Sequence, residues 1–555
     1  LYHGCNLTRG RRFPRTVIIN ELPEKCEAVV LGSGAAGLIA ALSLKTHRPE
    51  TDVLLVEKAD KLGGTTAYSG GICWLPGHRH KTDPAADLEL ARRYLQTIYP
   101  EIQERHLEAF ISTAPGVVDF MQDHGMEMEM IEGYPDYYSG EDGSSTGRSL
   151  SPAVFKGPKK IRSLVQEVPA MYPPFTVREL MGWGLHRFAH WDKPLLAKRK
   201  IAGHETKGRA MICFLTQACL DAGVNILLGN GARKLLIEQA NVCGVELDSG
   251  EVSADVVIMA CGGFSHNPEL MKQVGDIRQP LSLANEEGDS GGGLALALEA
   301  GLKVGNPHCW WMPVMKLYPE DQPRPGRVLW FYHPMIQDRS WPGGIMVNAA
   351  GKRFTNESAC YMTVGEILAR DKDPDLDKVW IIWGKYYVKH YIRGNTSYLQ
   401  PAKPWMNKSA SVAELATNTR LPETDLQQTI DRWNQMAEQG QDRDFHRGEL
   451  PYDNFMGDQF RDGHPNIEKL EPPFQAVRVH PGCLATNMGP VIDENGRVQL
   501  SDGRIVNGLY AAGNASASVC GNKYPGAGGT LGLATVFGYR AGTHAASLLD
   551  GKVLE

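Results

Sequence analysis

The chain is predicted to be an α/β protein in which one domain is inserted into another. Three observations carry that prediction. A glycine turn, Gly32-Ser33-Gly34-Ala35-Ala36-Gly37, directly follows the apolar run Ala28–Leu31. Glu57 closes off a second apolar run, Val53–Val56, about twenty residues past Gly37. Near the far end, Gly508-Leu509-Tyr510-Ala511-Ala512-Gly513-Asn514 returns to the same style of short strand ending on small residues. The stretch between differs in composition.

The first unit is read as strand, turn, helix (37–46), strand and acid. Gly32 allows the tight turn, Gly34 lets backbone approach a pyrophosphate, and Gly37 lets the helix pack close. Free N–H groups at the helix start, with Ala35 and Ala36, favour phosphate. A carboxylate at Glu57 suits a ribose hydroxyl, as in FAD or NAD, and disfavours a 2′-phosphate. Further along, 87–97, 102–124 and 208–222 have helical spacing, and 224–228 and 242–247 are strand-like. The span 133–151 is a Gly/Ser/Asp-rich loop with tyrosines. The run 256–261 is a buried strand leading into Gly262-Gly263-Phe264. The middle holds Trp310, Trp311, Trp330, Trp341, Trp380, Trp383, Trp405 and Trp433, and a helix at 425–439. A last helix spans 530–549. The expected division is a loosely ordered lead (1–24), a Rossmann-like domain in two parts (25–302 and 471–555), and an α+β domain (303–470) inserted between them.

Composition excludes several classes. Net charge is −6, and no basic stripe argues for nucleic acid. No apolar run reaches the ~18 residues of a membrane span. The 11 cysteines are odd in number and lack a CxxC, which suits a reducing, cytoplasmic setting. No metal-ligand spacing is present. The segment 156–207 stands apart, with eleven Lys/Arg against four acids, interleaved with Met171, Tyr172, Phe175, Met181, Trp183, Phe188 and Trp191. That mixture suits a peripheral contact with an anionic membrane face; the plain alternative is an insertion packed on the protein.

After Glu57 the chain runs Lys58-Ala59-Asp60-Lys61-Leu62-Gly63-Gly64-Thr65-Thr66-Ala67-Tyr68-Ser69-Gly70-Gly71. With Gly508–Asn514, this resembles the FAD-dependent fumarate reductase and 3-ketosteroid dehydrogenase superfamily. The resemblance covers most of the chain. It implies FAD, held noncovalently by Gly32, Gly34, Ala35, Ala36, Gly37, Glu57, Lys58, Gly64, Thr65, Thr66, Ser69, Gly70, Gly71, Ala232, Ala260, Gly262, Gly513, Asn514 and Leu531. Fumarate reductases share a His-Thr-Met-Gly-Gly stretch. Here it reads Leu484-Ala485-Thr486-Asn487-Met488-Gly489, without the His.

Three other places look like 3-ketosteroid Δ1-dehydrogenases: Tyr134-Pro135-Asp136-Tyr137, Asn356 through Tyr361, and Tyr524-Pro525-Gly526-Ala527-Gly528-Gly529-Thr530. That resemblance implies Tyr361 as base, Tyr137 as its neighbour, and Tyr524 with the Gly528 amide as donors to a ketone oxygen. The implied reaction converts a 4-en-3-one to a 1,4-dien-3-one. The C2 proton goes to Tyr361, the C1 hydride to flavin, and an external acceptor reoxidises the flavin.

The chemistry agrees. A proton α to a carbonyl is removable only when charge on the oxygen is stabilised. A tyrosine, ordinarily near pKa 10, acts near neutrality only if its phenolate is favoured, and a hydroxyl donating to it does that. Tyr134 and Tyr138 are close rivals of Tyr137, and His480 is expected to be structural or flavin-adjacent. Met312, Met315, Phe331, Met335 and Trp341 are the candidates for a flat apolar slot, for a steroid or for a membrane-drawn sterol such as cholest-4-en-3-one. Alternatives at this stage are a Δ4-(5α)-dehydrogenase, a fumarate-reductase-like enzyme, and a flavin-holding sterol binder without turnover.

Overall fold

The computed structural model describes residues 18–552, except 20, 169–172, 285, 287, 324–331 and 371. Most of the lead, and Met171, Tyr172, Trp330 and Phe331, therefore lie outside the described residues.

The first sheet is built on five parallel strands. In chain order they are β1 (Ala28–Leu31), β2 (Val53–Val56), β3 (Asn225–Leu227), β4 (Val256–Met259) and β5 (Ile505–Ala511). Their spatial order is β3-β2-β1-β4-β5. An antiparallel meander, Ala232–Glu238, Asn241–Leu247 and Gly250–Ser253, continues beyond β5. The runs in β1, β2 and β4 are apolar throughout because helices cover both faces of a parallel sheet. Helix α1 (Ala35–His47) is apolar nearly all round for the same reason. Against it lies helix α2 (Gly529–Leu549). A Cβ at Gly542 would stand 2.3 Å from the Ala40 carbonyl, and one at Gly538 would stand 2.6 Å from that of Ala36. Only glycines allow this approach.

A second sheet contains Cys309–Lys316, Tyr332–Pro334, Gly344–Val347, Val379–Trp383 and the long central strand Phe474–Thr486, with two short strands at its sides. The central strand lies beyond 470, so the second sheet runs past the expected boundary. One of its side strands, Leu281–Ser282, lies before 303. The helix Tyr361–Arg370 presses on this sheet. Gly365 makes that possible, since a Cβ there would lie 2.4 Å from the Met312 nitrogen.

The helices expected from periodicity occur within a few residues of their predicted ends, at Pro84–Ile98, Glu104–Asp123, Lys207–Asp221 and Glu423–Glu438. Among the described residues, no helix is long and apolar enough to cross a membrane, and no cluster of side chains could hold a metal. Three of the described aromatics of 156–207 pack on other rings. Trp191 meets Phe175 and Phe188, Phe188 stacks on Tyr398, and Leu185 and Phe188 rest on the second domain's core.

Candidate active site

The glycine turn opens onto a cleft of about 320 Å³. Gly32 has φ +104, and a Cβ there would stand 2.4 Å from the Ala260 carbonyl. Gly34 is the N-cap of α1 and carries no side-chain cap; the nearest atom to a Cβ there is Thr66 Oγ1 at 3.6 Å. Ala35 N–H donates to Thr66 Oγ1 at 3.2 Å, and among the described residues no acceptor meets the Gly34 and Ala36 N–H groups, which leaves donors for a diphosphate. The Glu57 carboxylate accepts from Ser33 N–H (3.0 Å), Ser33 Oγ (2.5 Å) and Ala59 N–H (3.0 Å), and it borders the cleft. These features fit FAD.

Gly32, Gly34, Ala35, Ala36, Glu57, Lys58, Gly64, Thr65, Thr66, Ala232, Ala260, Gly262, Gly513, Asn514 and Leu531 all line the cleft. Four predicted cofactor residues do not. Gly37 lies beneath, where a Cβ would meet the Gly32 carbonyl at 1.9 Å. Ser69 Oγ donates to the Thr66 carbonyl and accepts from Gly71 N–H, so it shapes the loop. Gly70 packs toward Ile72 and Val177, and Gly71, at φ +68, against the Lys207 backbone. Ser33, Asn230 and Asp289 also line the cleft and were not foreseen. Ser33 stands inside the glycine motif. Asp289 accepts from the Gly263 and Ser265 N–H groups and carries no local motif.

Thr530 joins this cleft to a second site, since it lines the cleft and donates to Tyr524 OH at 3.1 Å. Tyr137, Tyr361 and Tyr524, from three distant segments, converge there. Tyr137 OH donates to Tyr361 OH at 2.8 Å. Their ring centroids are 4.9 Å apart, and Tyr524 lies 5.6 Å from Tyr137 and 6.0 Å from Tyr361. Gly528, at φ +91, is the N-cap of α2, and among the described residues no acceptor meets its N–H.

The scaffold behind Tyr137 is buried and ionic. The neighbouring Asp136 carboxylate pairs with Arg148 and accepts from Trp74 Nε1 (2.7 Å) and Ser145 N–H (2.9 Å). Tyr137 N–H donates to the Pro525 carbonyl at 3.0 Å, which ties the tyrosine loop to the Tyr524 segment. Tyr361 opens its helix, where the dipole favours negative charge.

Burial acts against that. It raises the Tyr361 phenol well above its ordinary value, with the nearby Tyr524 adding to the rise and the bond from Tyr137 opposing it. Burial likewise raises Tyr137 and Tyr524. The bond expected to favour the Tyr361 phenolate is present, but in the closed site desolvation outweighs it.

Of the rivals, Tyr134 packs on Phe455 and Tyr138 lies under Lys523. Tyr452, not foreseen, lies 5.1 Å from the Tyr137 ring. His480 Nε2 pairs with Glu320 at 2.9 Å, a structural role. Of the residues expected to form an apolar slot, Met312 lies in the same buried cluster as Tyr137, Tyr361 and Tyr524, and Met315, Met335 and Trp341 lie in a neighbouring cluster of the second domain.

Fold and cleft define a class, the FAD-dependent oxidoreductases. The model of the FAD binding domain family matches residues 27–531. The 3-oxosteroid 1-dehydrogenase of Mycobacterium tuberculosis (strain ATCC 25618 / H37Rv) is 33% identical, over 94% of this chain and 98% of that one. The 4-oxocyclohexanecarboxylate 2-dehydrogenase of Sinomonas cyclohexanicum is 31% identical, over 93% and 92%. The crystal structure of the Sterolibacterium denitrificans 3-ketosteroid Δ1-dehydrogenase with 1,4-androstadiene-3,17-dione superposes with a TM-score of 0.85. It is 27% identical and covers 95% of this chain and 100% of that one. The chain belongs to the FAD binding domain family and, within it, to the 3-oxosteroid 1-dehydrogenases.

Proposed function

We propose that the protein desaturates ring A of 3-ketosteroids between C1 and C2. The observation that carries this is the 2.8 Å bond from Tyr137 to Tyr361, set beside Tyr524 and the unengaged Gly528 amide. Tyr524 O–H and Gly528 N–H donate to the C3 ketone oxygen, which makes the C2 proton acidic. Tyr361 takes that proton, while Tyr137 and the helix start favour the phenolate. FAD, when bound, accepts the other hydrogen of the pair with its two electrons.

The test is anaerobic addition of a 4-en-3-one steroid to the yellow protein. Flavin bleaching with a 1,4-dien-3-one product is expected. Bleaching only with a 5α-saturated 3-ketone would move the assignment to Δ4-(5α)-dehydrogenation. Bleaching only with 4-oxocyclohexanecarboxylate would replace the steroid with a monocyclic ketone. Tyr361→Phe is expected to keep FAD and lose on the order of 10²–10⁴-fold in turnover, the usual contribution of a general base. Full activity in that variant would overturn the role given to Tyr361.

The proposal extends to location. Lys156, Lys159, Lys160, Lys198 and Lys200 are exposed, and Ile201 is 88% exposed beside them. This face is suited to rest on anionic lipid. Co-sedimentation with phosphatidylglycerol vesicles, lost in Lys198→Glu/Lys200→Glu and absent with phosphatidylcholine, is expected. Equal recovery with both lipids would remove the membrane contact.

A further inference from the structure

Arg339 is a guanidinium inside the protein, 1% exposed. Three other buried arginines meet carboxylates: Arg148 pairs with Asp87 and Asp136, Arg353 with Glu357 and Asp442, and Arg447 with Glu357, whereas Arg393 bonds to Gln475 and to backbone carbonyls. Among the described residues Arg339 meets none. Its Nε donates to the Met335 carbonyl at 2.9 Å. Its Nη1 donates to the carbonyls of Glu357 and Ala359. Its Nη2 is buried without a partner. A charge buried without a counter-ion is costly, so its retention calls for a use.

Its surroundings indicate that use. Ala359 stands two residues before Tyr361, so Arg339 fastens the turn from which the Tyr361 helix starts. The positive charge also acts across space on Tyr134, Tyr452 and Cys360, favouring their anionic forms. Tyr452 packs 5.1 Å from the Tyr137 ring, and Tyr137 OH donates to Tyr361 OH, so the cluster facing Arg339 adjoins the base.

Several groups face this cluster. The loop contributes Tyr134 and Tyr137, the helix Pro451–Met456 contributes Tyr452 and Asp453, and the C-terminal segment contributes Tyr524. Asp453 is the nearby acid. Its Oδ2 accepts from Asn356 and Gly448 and its Oδ1 has no partner, so no hydrogen bond joins it to Arg339, and burial raises its pKa.

We propose that Arg339 is a positioning residue for proton abstraction. Its guanidinium holds the turn bearing Tyr361, and its charge stabilises the negative charge that proton abstraction places on the hydrogen-bonded pair Tyr361 and Tyr137. This rests on Tyr361 being the base.

The experiment compares FAD-loaded wild type, Arg339→Lys, Arg339→Gln and Tyr361→Phe across pH. Steroids deuterated at C1 or at C2 are the substrates. In Arg339→Gln the rise of kcat with pH is expected to move alkaline by on the order of one unit, the scale of an opposite-charge effect. The isotope effect at C2 should grow while FAD content is unchanged. Arg339→Lys, which keeps the charge, should hold the wild-type profile at reduced kcat. A kcat loss in Arg339→Gln that is the same at every pH, or no loss, overturns the proposal. If Arg339→Gln fails to load FAD, an alkaline shift in Arg339→Lys equally overturns it, because charge would then not be the property that matters. Turnover retained in Tyr361→Phe overturns instead the assignment of the base.

Discussion

His78 shows what a single buried residue does to pH tolerance. Its Nδ1 accepts from His80 N–H at 3.2 Å, so Nε2 carries the proton and donates to the Gly147 carbonyl at 2.8 Å. The neutral ring is satisfied on both sides, and a second proton would face a donor. Burial, only partly opposed by the Gly147 carbonyl, pushes the pKa down to about 4. The unfolded chain binds this proton near pH 6.5. Between those values it holds more protons than the folded form, so stability is lost as pH falls from about 6.5 to about 4. The loss is about 3 kcal/mol, at about 1.4 kcal/mol per unit. Denaturant melts across that window should show it, and His78→Gln should flatten the slope. An unchanged slope would show that His78 is not the group responsible. His78 hydrogen-bonds to the Gly147 carbonyl, next to Arg148, so acid should also loosen the ionic support of Tyr137. At the active site the same desolvation raises Tyr361, and the Tyr137 bond opposes that rise.

At the scale of elements, two glycine contacts separate chemistry from cofactor binding. Gly365 lets the Tyr361 helix lie on the strand Cys309–Lys316, with backbone rather than a flexible side chain as the obstacle to a Cβ. Gly365→Ala is expected to displace the helix, lower turnover at least tenfold and leave FAD bound. Its overpacking cost is about 1–3 kcal/mol. Gly542→Leu forces α2 away from α1 and should reduce FAD content before turnover per flavin. Flavin absorbance per protein and kcat per flavin separate the two. A loss of FAD in Gly365→Ala would mean that the two domains do not bear these roles independently. Much of this was readable in sequence. The turn, the acid at Glu57 and the tyrosine segments are local patterns, and the apolar strands and amphipathic helices follow from periodicity. Tyr452, Arg339 and Asp289 were not readable, because each acquires its meaning only from chain hundreds of residues away or from burial. The strand Phe474–Thr486 was missed as part of the second sheet for the same reason: strand pairing is a tertiary fact.

The whole molecule is held across one cleft. Its walls come from residues near 31–66, 230–296 and 512–534, segments from both ends of the chain. A ligand lying along all three binds the folded form and has no equivalent site in the unfolded chain. Mass action then stabilises the fold by about 2.7 kcal/mol at a hundredfold excess over Kd. Removing FAD should therefore lower the unfolding midpoint, and adding it back should raise the midpoint in step with the logarithm of its concentration. Gly34→Val should break this linkage. A Cβ at Gly34 meets nothing closer than Thr66 Oγ1 at 3.6 Å, so the protein itself tolerates the bulk and only the diphosphate is excluded. Calorimetry with and without FAD separates the cases. A midpoint that rises in wild type and stays fixed in Gly34→Val places the diphosphate over Gly34. Equal rises in both would put the cofactor's phosphates elsewhere on the cleft.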